Sequence, residues 1–357
     1  MPFTIVGQEY AVTALRNAVA SGRVAHAYLF SGPRHTGKTL LALQFGQLLN
    51  CTGPDERERP CGRCRACDCI AAGAHPDLEL VGIGGVCSEQ GHDHKKDDSR
   101  DIRICQVRRL QELASRAPYE AVYRVFIIEP ADALNPASIG ALLKTLEEPP
   151  PRVVIILVAE REELLPDTIR SRARRIALRG IPKRQIEHTL RERWDAEPSR
   201  AAELATLAGG RLGWAVAALH DERMMERREA ALAQAEELAT ASLAKRFAAA
   251  SELGSTYSRD RQRVHDVLEQ WERFWRDIMV VAAGREQSAT HRDRLDRLRV
   301  LAAGCEPRAA VRGVRAVAEA RQQLSENASP VLTLEAMMLR LPVLSDRRNA
   351  VAERLGE

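Results

Sequence analysis

Apolar positions in the first half of the chain follow two alternating rhythms. Short, nearly unbroken apolar runs occur at 27–30 (Ala-Tyr-Leu-Phe), 78–81 (Leu-Glu-Leu-Val), 125–128 (Val-Phe-Ile-Ile) and 153–158 (Val-Val-Ile-Ile-Leu-Val). Between them lie stretches whose apolar residues recur every three or four positions. Val12, Leu15 and Val19 mark 11–19, Leu40, Leu41, Phe45 and Leu48 mark 39–49, and a third such stretch covers 107–113. The β-branched runs predict strands buried on both faces, as in a parallel sheet, and the spaced stretches predict helices. Their alternation over 1–178 predicts a doubly wound α/β domain.

The rhythm changes near Ile181-Pro182. Short helices broken at Gly209-Gly210 are expected over 179–220, and from 221 to 357 almost everything has helical period. In that last region Val264, Val267, Leu268, Trp271, Trp275 and Ile278 form one stripe, which predicts a helix buried in a bundle; a partner interface is the alternative. A segment of Gly, His, Lys and Asp at 84–100 interrupts the first domain and reads as a surface insertion. A chain of 357 residues exceeds the roughly 250–300 that one core can serve, consistent with several domains.

Composition narrows the function. Lys and Arg outnumber Asp and Glu by 53 to 49, a net charge of +4, too small for a protein that coats nucleic acid. Aromatic residues are only 4%, which disfavours a base-stacking platform. No run approaches the roughly 18 apolar residues of a membrane span, and the first residues lack a basic, then apolar, leader pattern, so a cytoplasmic protein is expected.

Gly32-Pro33-Arg34-His35-Thr36-Gly37-Lys38-Thr39 fits G-x-x-x-x-G-K-[ST] between a predicted strand and a predicted helix. Such a loop can curl so that backbone N–H groups and a helix N-terminus cradle phosphate oxygens. Lys38 would reach the β- and γ-phosphates and Thr39 would ligate Mg²⁺. A turn that binds nothing is the alternative.

Five of the eight cysteines fall within 51–69. Cys51, Cys61, Cys64 and Cys67 read C-x9-C-x2-C-x2-C, and four thiolates suit a closed, structural, tetrahedral Zn²⁺ site. Cys69 stands close enough to replace one of them, and free thiols are the other alternative. Cys87, His92 and His94 could bind a second metal, but their spacing fits no common pattern. They read better as an incidental solvated cluster, as do Asp97, Asp98 and Asp101.

Beyond the phosphate loop, several segments make the chain similar to the bacterial clamp-loader subunits of DNA polymerase III, within the AAA+ ATPases. Val6-Gly7-Gln8 resembles the family's adenine-side segment, and His26-Ala27-Tyr28-Leu29-Phe30-Ser31-Gly32 leads into the loop in the family's manner. The cysteine module follows the loop helix, then His75-Pro76-Asp77. Ala141-Leu142-Leu143-Lys144-Thr145-Leu146-Glu147-Glu148-Pro149-Pro150 resembles the family's most recognisable stretch. Thr168-Ile169-Arg170-Ser171-Arg172 resembles its Ser-Arg-Cys signature, with Ala173 in place of the cysteine. The resemblance covers 1–178; beyond about 220 it extends only to length and helical character.

The resemblance implies an AAA+ P-loop domain at 1–178 carrying a zinc module at about 51–69, a helical lid at 179–220 and a helical collar at 221–357. It implies ATP or ADP with Mg²⁺, bound by Gly32, Thr36, Gly37, Lys38, Thr39 and Glu129. The implied partners are the gamma/tau and delta subunits, and through the complex the sliding clamp and primed DNA. The family contains motor subunits and a stator-like delta prime class, and they differ at catalytic positions. Here Glu129 falls at the Walker B Asp and Pro130 at the catalytic Glu. Glu160 stands at the first sensor, and Gly213 stands at the second-sensor Arg, with Arg211 nearby. Asp132 is expected to cap the next helix. The combination resembles the non-hydrolysing class, whose contribution to catalysis is an arginine acting across the interface, here Arg172; a solvated surface arginine is the alternative. A working gamma/tau-like ATPase is the second expectation. A zinc-dependent nucleic-acid module, with Arg63 and Arg65 touching phosphate, is a third.

Overall fold

The computed structural model describes residues 3–89, 92, 94, 100–326 and 328–344. The chain divides into two compact units, Met1–Val216 and Ala217–Glu357.

The first unit runs α1 (Glu9–Ala20), β1 (Ala27–Ser31), α2 (Lys38–Asn50), α3 (Arg65–Ala71), β2 (Leu78–Val81), α4 (Ile104–Ala114), β3 (Arg124–Ile128), α5 (Pro136–Glu147), β4 (Val153–Ala159), α6 (Asp167–Arg170) and β5 (Arg174–Ala177). Helices α7 (Lys183–Trp194), α8 (Pro198–Ala208) and α9 (Leu212–His220) follow. The strands form one parallel sheet in the order β2-β3-β4-β1-β5. Successive side chains of a strand point to opposite faces, and the two cores divide accordingly. Leu29, Phe126, Ile128, Ile155 and Leu157 pack with Leu110 of α4 and Leu142 and Leu146 of α5. Tyr28, Phe30, Val125, Ile127, Ile156 and Val158 pack on the other face with Leu15 of α1 and Leu41 and Phe45 of α2. Being covered on both faces is why these strands read as unbroken apolar runs.

β5 has no such signature. It is an edge strand with only Ile176 buried, so its sequence, Arg-Arg-Ile-Ala, looks like a polar loop. The start of the chain is tied to the residues just after β5. Gln8 Nε2 donates to the Arg179 carbonyl at 2.7 Å, and the Arg179 N–H donates to Gln8 Oε1 at 3.3 Å.

The second unit comprises α10 (Glu222–Thr240), α11 (Leu243–Arg259), α12 (Arg261–Ala282), α13 (Leu295–Ala303), α14 (Pro307–Ser325) and α15 (Pro330–Arg340). The expected stripe lies on α12, where Val264, Leu268, Trp271, Trp275 and Ile278 are buried in one core with residues of the other helices, and Val267 packs against it partly buried. Two polar anchors fix the chain there. Asp277, with no exposed side-chain surface, accepts the N–H groups of Thr290 and His291 at 2.7–3.0 Å and lies 2.8 Å from His291 Nδ1. Arg246, 2% exposed, donates to backbone carbonyls at the C-terminal ends of two helices. These are Leu238 at 2.9 Å and Ala239 at 3.2 Å near the end of α10, and Met338 at 3.3 Å, Leu341 at 2.6 Å and Pro342 at 2.8 Å at the end of α15. The last carbonyls of a helix have no partner within it and carry partial negative charge. One guanidinium therefore satisfies both ends. No helix among the described residues is long and apolar enough to cross a membrane.

Candidate nucleotide and metal sites

Strand β1 lies between β4 and β5 and ends at Ser31, and the phosphate loop leaves from its C-terminal end. That is where open α/β sheets place ligands. Gly32 (φ 137°) lies so close to Leu178 that a Cβ would stand 2.2 Å from its carbonyl oxygen. Only glycine allows the chain to turn there. The loop then curls back on itself, Thr36 Oγ1 donating to the Pro33 carbonyl at 2.8 Å. Gly37 is the N-cap of α2 and Lys38 its first residue. Lys38 is 8% exposed, and its ammonium donates to the Gly32 and Pro33 carbonyls, both at 2.8 Å. Burial pushes its pKa down, against the nearby carboxylates of Glu160, Glu129 and Asp132, which hold it up. The unpaired N–H groups that begin α2, the Lys38 charge and the curled loop together make an anion cradle.

Glu129 follows β3 and is held by its N–H on the Val81 carbonyl at 2.9 Å. Its Oε1 accepts the Thr39 hydroxyl at 2.6 Å, so the two residues expected to hold Mg²⁺ meet. Asp132 Oδ1 is buried and has no hydrogen-bond partner among the described residues, while Lys38 and Glu160 feel its charge. An orphaned carboxylate oxygen beside an anion cradle suits a hydrated cation accompanying phosphate. Asp132 does not cap α5. Asn135 does, its side chain accepting the Ser138 N–H at 2.8 Å ahead of Pro136 at the first helical position.

The positions that the resemblance assigns to hydrolysis hold other residue types. Pro130 follows Glu129 and has no side chain that accepts a proton. Ala159 pairs with Ser31 across β4 and β1, which puts Glu160 level with the start of the phosphate loop. Arg34 Nε lies 3.8 Å from its carboxylate. Packing around Glu160 pushes its pKa up, Asp132 adds to this, and Arg34 and Lys38 oppose it. At the second-sensor position the Gly213 N–H donates to the His35 carbonyl at 2.9 Å, and a Cβ there would lie 2.9 Å from that same oxygen. The α9 backbone therefore sits directly on the phosphate loop and leaves no room for a side chain. Arg211 is 7% exposed and its Nε donates to the Ala208 carbonyl at 3.0 Å.

Arg172 lies between α6 and β5, at the opposite end of the sheet. Ala177 of β5 is level with Ser31, and Arg174 is level with Tyr28. Three residues of strand put Arg174 about 10 Å from the loop end, and Arg172 precedes it. Its guanidinium is partly exposed, pairs with Glu147 at the end of α5 at 2.9 Å, and donates to the Thr168 carbonyl at 2.9 Å.

The sulfurs of Cys51, Cys61, Cys64 and Cys67 all lie within 4.8 Å of one another; Cys69 is not among them. Around a tetrahedral zinc ion with Zn–S near 2.3 Å, neighbouring sulfurs are about 3.8 Å apart. Cys51 and Cys64 sulfurs are 3.9 Å apart. The N–H groups of Gly53 and Cys61 point at Cys51 Sγ at 3.4 and 3.3 Å. Burial pushes the Cys51 and Cys67 thiols up. Burial also opposes ionisation of Cys64, but the Cys67 N–H and the Thr52 hydroxyl and N–H outweigh it and bring that thiol down to about 6. The four could hold a metal ion in a closed site. Arg65 pairs with Glu120 at 3.4 Å rather than standing alone at the module's surface.

A sequence profile for the DNA polymerase III delta subunit matches residues 7–182. Subunit delta' of DNA polymerase III from Bacillus subtilis is 27% identical over 92% of this chain and 94% of its own length. Over these regions the chain is similar to subunits of DNA polymerase III. Subunit gamma/tau of Mycobacterium bovis is 36% identical over 52% of the chain. The chain spans only 30% of that relative's length. Among solved structures, a gamma subunit-related protein of DNA polymerase III from Thermotoga maritima overlaps 92% of this chain and 97% of its own, at 16% identity and a TM-score of 0.40. The five-stranded parallel sheet with its phosphate loop is the AAA+ type of fold, followed by a helical C-terminal region.

Proposed function

We propose that this chain is the delta prime-like subunit of its clamp loader, cytoplasmic, and that it supports ATP-driven placement of the sliding clamp on primed DNA without hydrolysing ATP efficiently itself. ATP or ADP with Mg²⁺ binds at Gly32, Thr36, Gly37, Lys38, Thr39 and Glu129. Zn²⁺ bound by Cys51, Cys61, Cys64 and Cys67 is structural. Residues 1–178 form the nucleotide domain, 179–220 the lid, and 221–357 the collar that joins the gamma/tau and delta partners.

The observation that carries this reading is an anion cradle facing Pro130 and a Gly213 with no space for a side chain. Losing a positioned general base alone costs about 10²–10⁴ in rate. Arg172 supports the second half of the proposal. It is too far from its own loop to act there, and it is exposed enough to reach a neighbour's phosphate. An arginine finger is worth about 10³–10⁵ at the site it serves. The Glu147 ion pair would be exchanged for that phosphate on assembly. The test is ATP turnover by a reconstituted loader with clamp and primed DNA, comparing this subunit with its Arg172→Ala form. A fall of tenfold or more is expected, and unchanged turnover removes the arginine from the mechanism.

The higher local identity to gamma/tau relatives favours a second reading, a working ATPase in which Glu129 holds Mg²⁺ and another residue positions water. In that case the isolated chain turns over ATP at a motor's rate and Lys38→Ala abolishes the turnover.

A further inference from the structure

We propose that Cys87, His92, His94 and Cys105 form a second zinc site, separate from the four-cysteine cluster. The spacing, C-x4-H-x-H followed by a cysteine eleven residues on, matches no common zinc motif. Folding brings the four together: one ligand atom from each lies within 4.8 Å of all the others. Asp101 is exposed and not among them, and Asp97 and Asp98 lie outside the described residues.

The edges match a metal's coordination shell. Around a tetrahedral zinc ion, a thiolate sulfur and an imidazole nitrogen sit about 3.6 Å apart, from Zn–S near 2.3 Å and Zn–N near 2.05 Å. Cys87 Sγ is 3.7 Å from His92 Nδ1, and His94 Nε2 is 3.2 Å from Cys105 Sγ. The two rings lie against each other with centroids 4.2 Å apart. Cys87, His94 and Cys105 are 7%, 2% and 3% exposed, and His92 is half-buried. Two thiols and an imidazole so enclosed in a polar loop gain little from apolar burial; a soft divalent cation would use all four groups.

The scaffold is fixed at both ends. Cys105 is the second residue of α4. Cys87 reaches it from the loop after β2, and Ser88 clamps the pair through its N–H and hydroxyl, both donating to the Cys105 carbonyl at 3.3 and 3.2 Å. Gln106 Nε2 donates to the Gly82 carbonyl at 2.7 Å and ties the loop's beginning to the same helix turn. A metal here would staple the β2–α4 connection, a segment whose aliphatic residues are only Ile83, Val86 and Ile102. The ordering entropy of such a segment is then met by metal binding rather than by a core.

The test is the metal content of the full chain, purified under reducing conditions, loaded with Zn²⁺ and passed through a desalting column. Two zinc ions per chain are expected for the wild type and one for the Cys87→Ser/Cys105→Ser variant. Replacing Zn²⁺ with Co²⁺ in the wild type adds a spectroscopic check that needs no variant. Thiolate-to-cobalt charge transfer from two sites should exceed that of one, and the difference spectrum against the double variant should carry about half the intensity of a four-thiolate site, because two of its ligands are imidazoles. His92→Ala/His94→Ala should likewise lose one ion and spare the first site. One zinc per wild-type chain, two ions surviving in the cysteine variant, or a Cys87–Cys105 disulfide in freshly purified protein would each overturn the proposal.

Discussion

Replacing Asp77 with asparagine preserves shape and removes a charge at a place where the structure allows the cost to be worked out. Asp77 has no exposed side-chain surface. Its Oδ1 accepts the Tyr119 N–H at 2.7 Å and Arg124 Nε and Nη2 at 3.2 and 2.8 Å, while its Oδ2 accepts the Glu120 and Ala121 N–H groups at 2.9 and 3.0 Å. An amide offers only one acceptor. If its NH₂ takes the Oδ2 place, two backbone donors face a donor; if it takes the Oδ1 place, Tyr119 and the 10%-exposed Arg124 do. Each stranded buried donor costs about 1–3 kcal/mol, and breaking a buried ion pair costs about 3–5 kcal/mol, so a loss near 3–5 kcal/mol is expected.

The carboxyl's acidity gives an independent figure for Asp77. Burial raises its pKa, but the N–H groups of Glu120, Tyr119 and Ala121 and the Arg124 guanidinium outweigh this and hold it at about 2. Against about 3.9 in an unfolded chain, that is about 2–3 kcal/mol. The sign follows from the direction: the native state binds the proton less readily, so the stabilisation is complete above about pH 4 and is lost as pH falls through 2. Because the chain has two units, a local observable serves better than one global midpoint. Hydrogen exchange of amides 119–128 should accelerate by about 10²–10⁴ in Asp77→Asn at pH 7. A change below threefold would refute the reasoning. So would a variant that loses protection between pH 5 and pH 2 as steeply as the wild type.

Gly213→Ala places a methyl group 2.9 Å from the His35 carbonyl oxygen, so the phosphate loop or α9 must move. Overpacking of that kind costs about 1–3 kcal/mol, and titration with a fluorescent ADP analogue should read a roughly tenfold or greater loss of affinity. Asp277→Asn should destabilise the 288–303 region by about 3 kcal/mol, read as faster exchange of its amides. In the wild type, hydrogen bonds from His291 and the Thr290 and His291 N–H groups outweigh burial and hold the Asp277 pKa below its ordinary value. Its contribution is therefore present above about pH 4 and fades on acidification. Removing metal from Cys51, Cys61, Cys64 and Cys67 with a chelator should make amides 51–67 exchange freely, and the affinity for zinc should fall with decreasing pH because protons compete for the thiolates.

How legible each feature was depended on whether its signal was local. β2 appears at 78–81, as expected, and β1, β3 and β4 extend the expected runs by a residue, because burial on both faces writes itself into consecutive positions. The phosphate loop was legible for a similar reason: its residues are contiguous. β5 was not, since an edge strand needs only Ile176 inside. Asn135 was overlooked as the α5 cap in favour of Asp132, although Asn-Pro directly ahead of an apolar periodic stretch is the stronger signal. The first cysteine cluster announced itself through two-residue spacers. Cys105 gave no such sign. It belongs to a helix, and only the fold carries it to Cys87, His92 and His94, so three of the four ligands read as incidental. The carboxylate cage of Asp77 was visible only as a family-like His-Pro-Asp, because its donors lie more than forty residues away.

Arg246 gives the helical unit a joint of a different kind. The carboxylate anchors at Asp77 and Asp277 can be undone by acid, since a carboxylate takes up a proton, and a metal held by thiolates can be stripped by a chelator. The carbonyls that surround Arg246 do not titrate, and a guanidinium has no neutral form at any pH a cell reaches. Its counter-charge is spread over the tails of α10 and α15 instead of residing on one side chain, and it is sealed from dissolved ions. Acidification that releases Asp77 and Asp277 leaves this rivet closed, so the joint around Arg246 should be among the last parts of the helical unit to part.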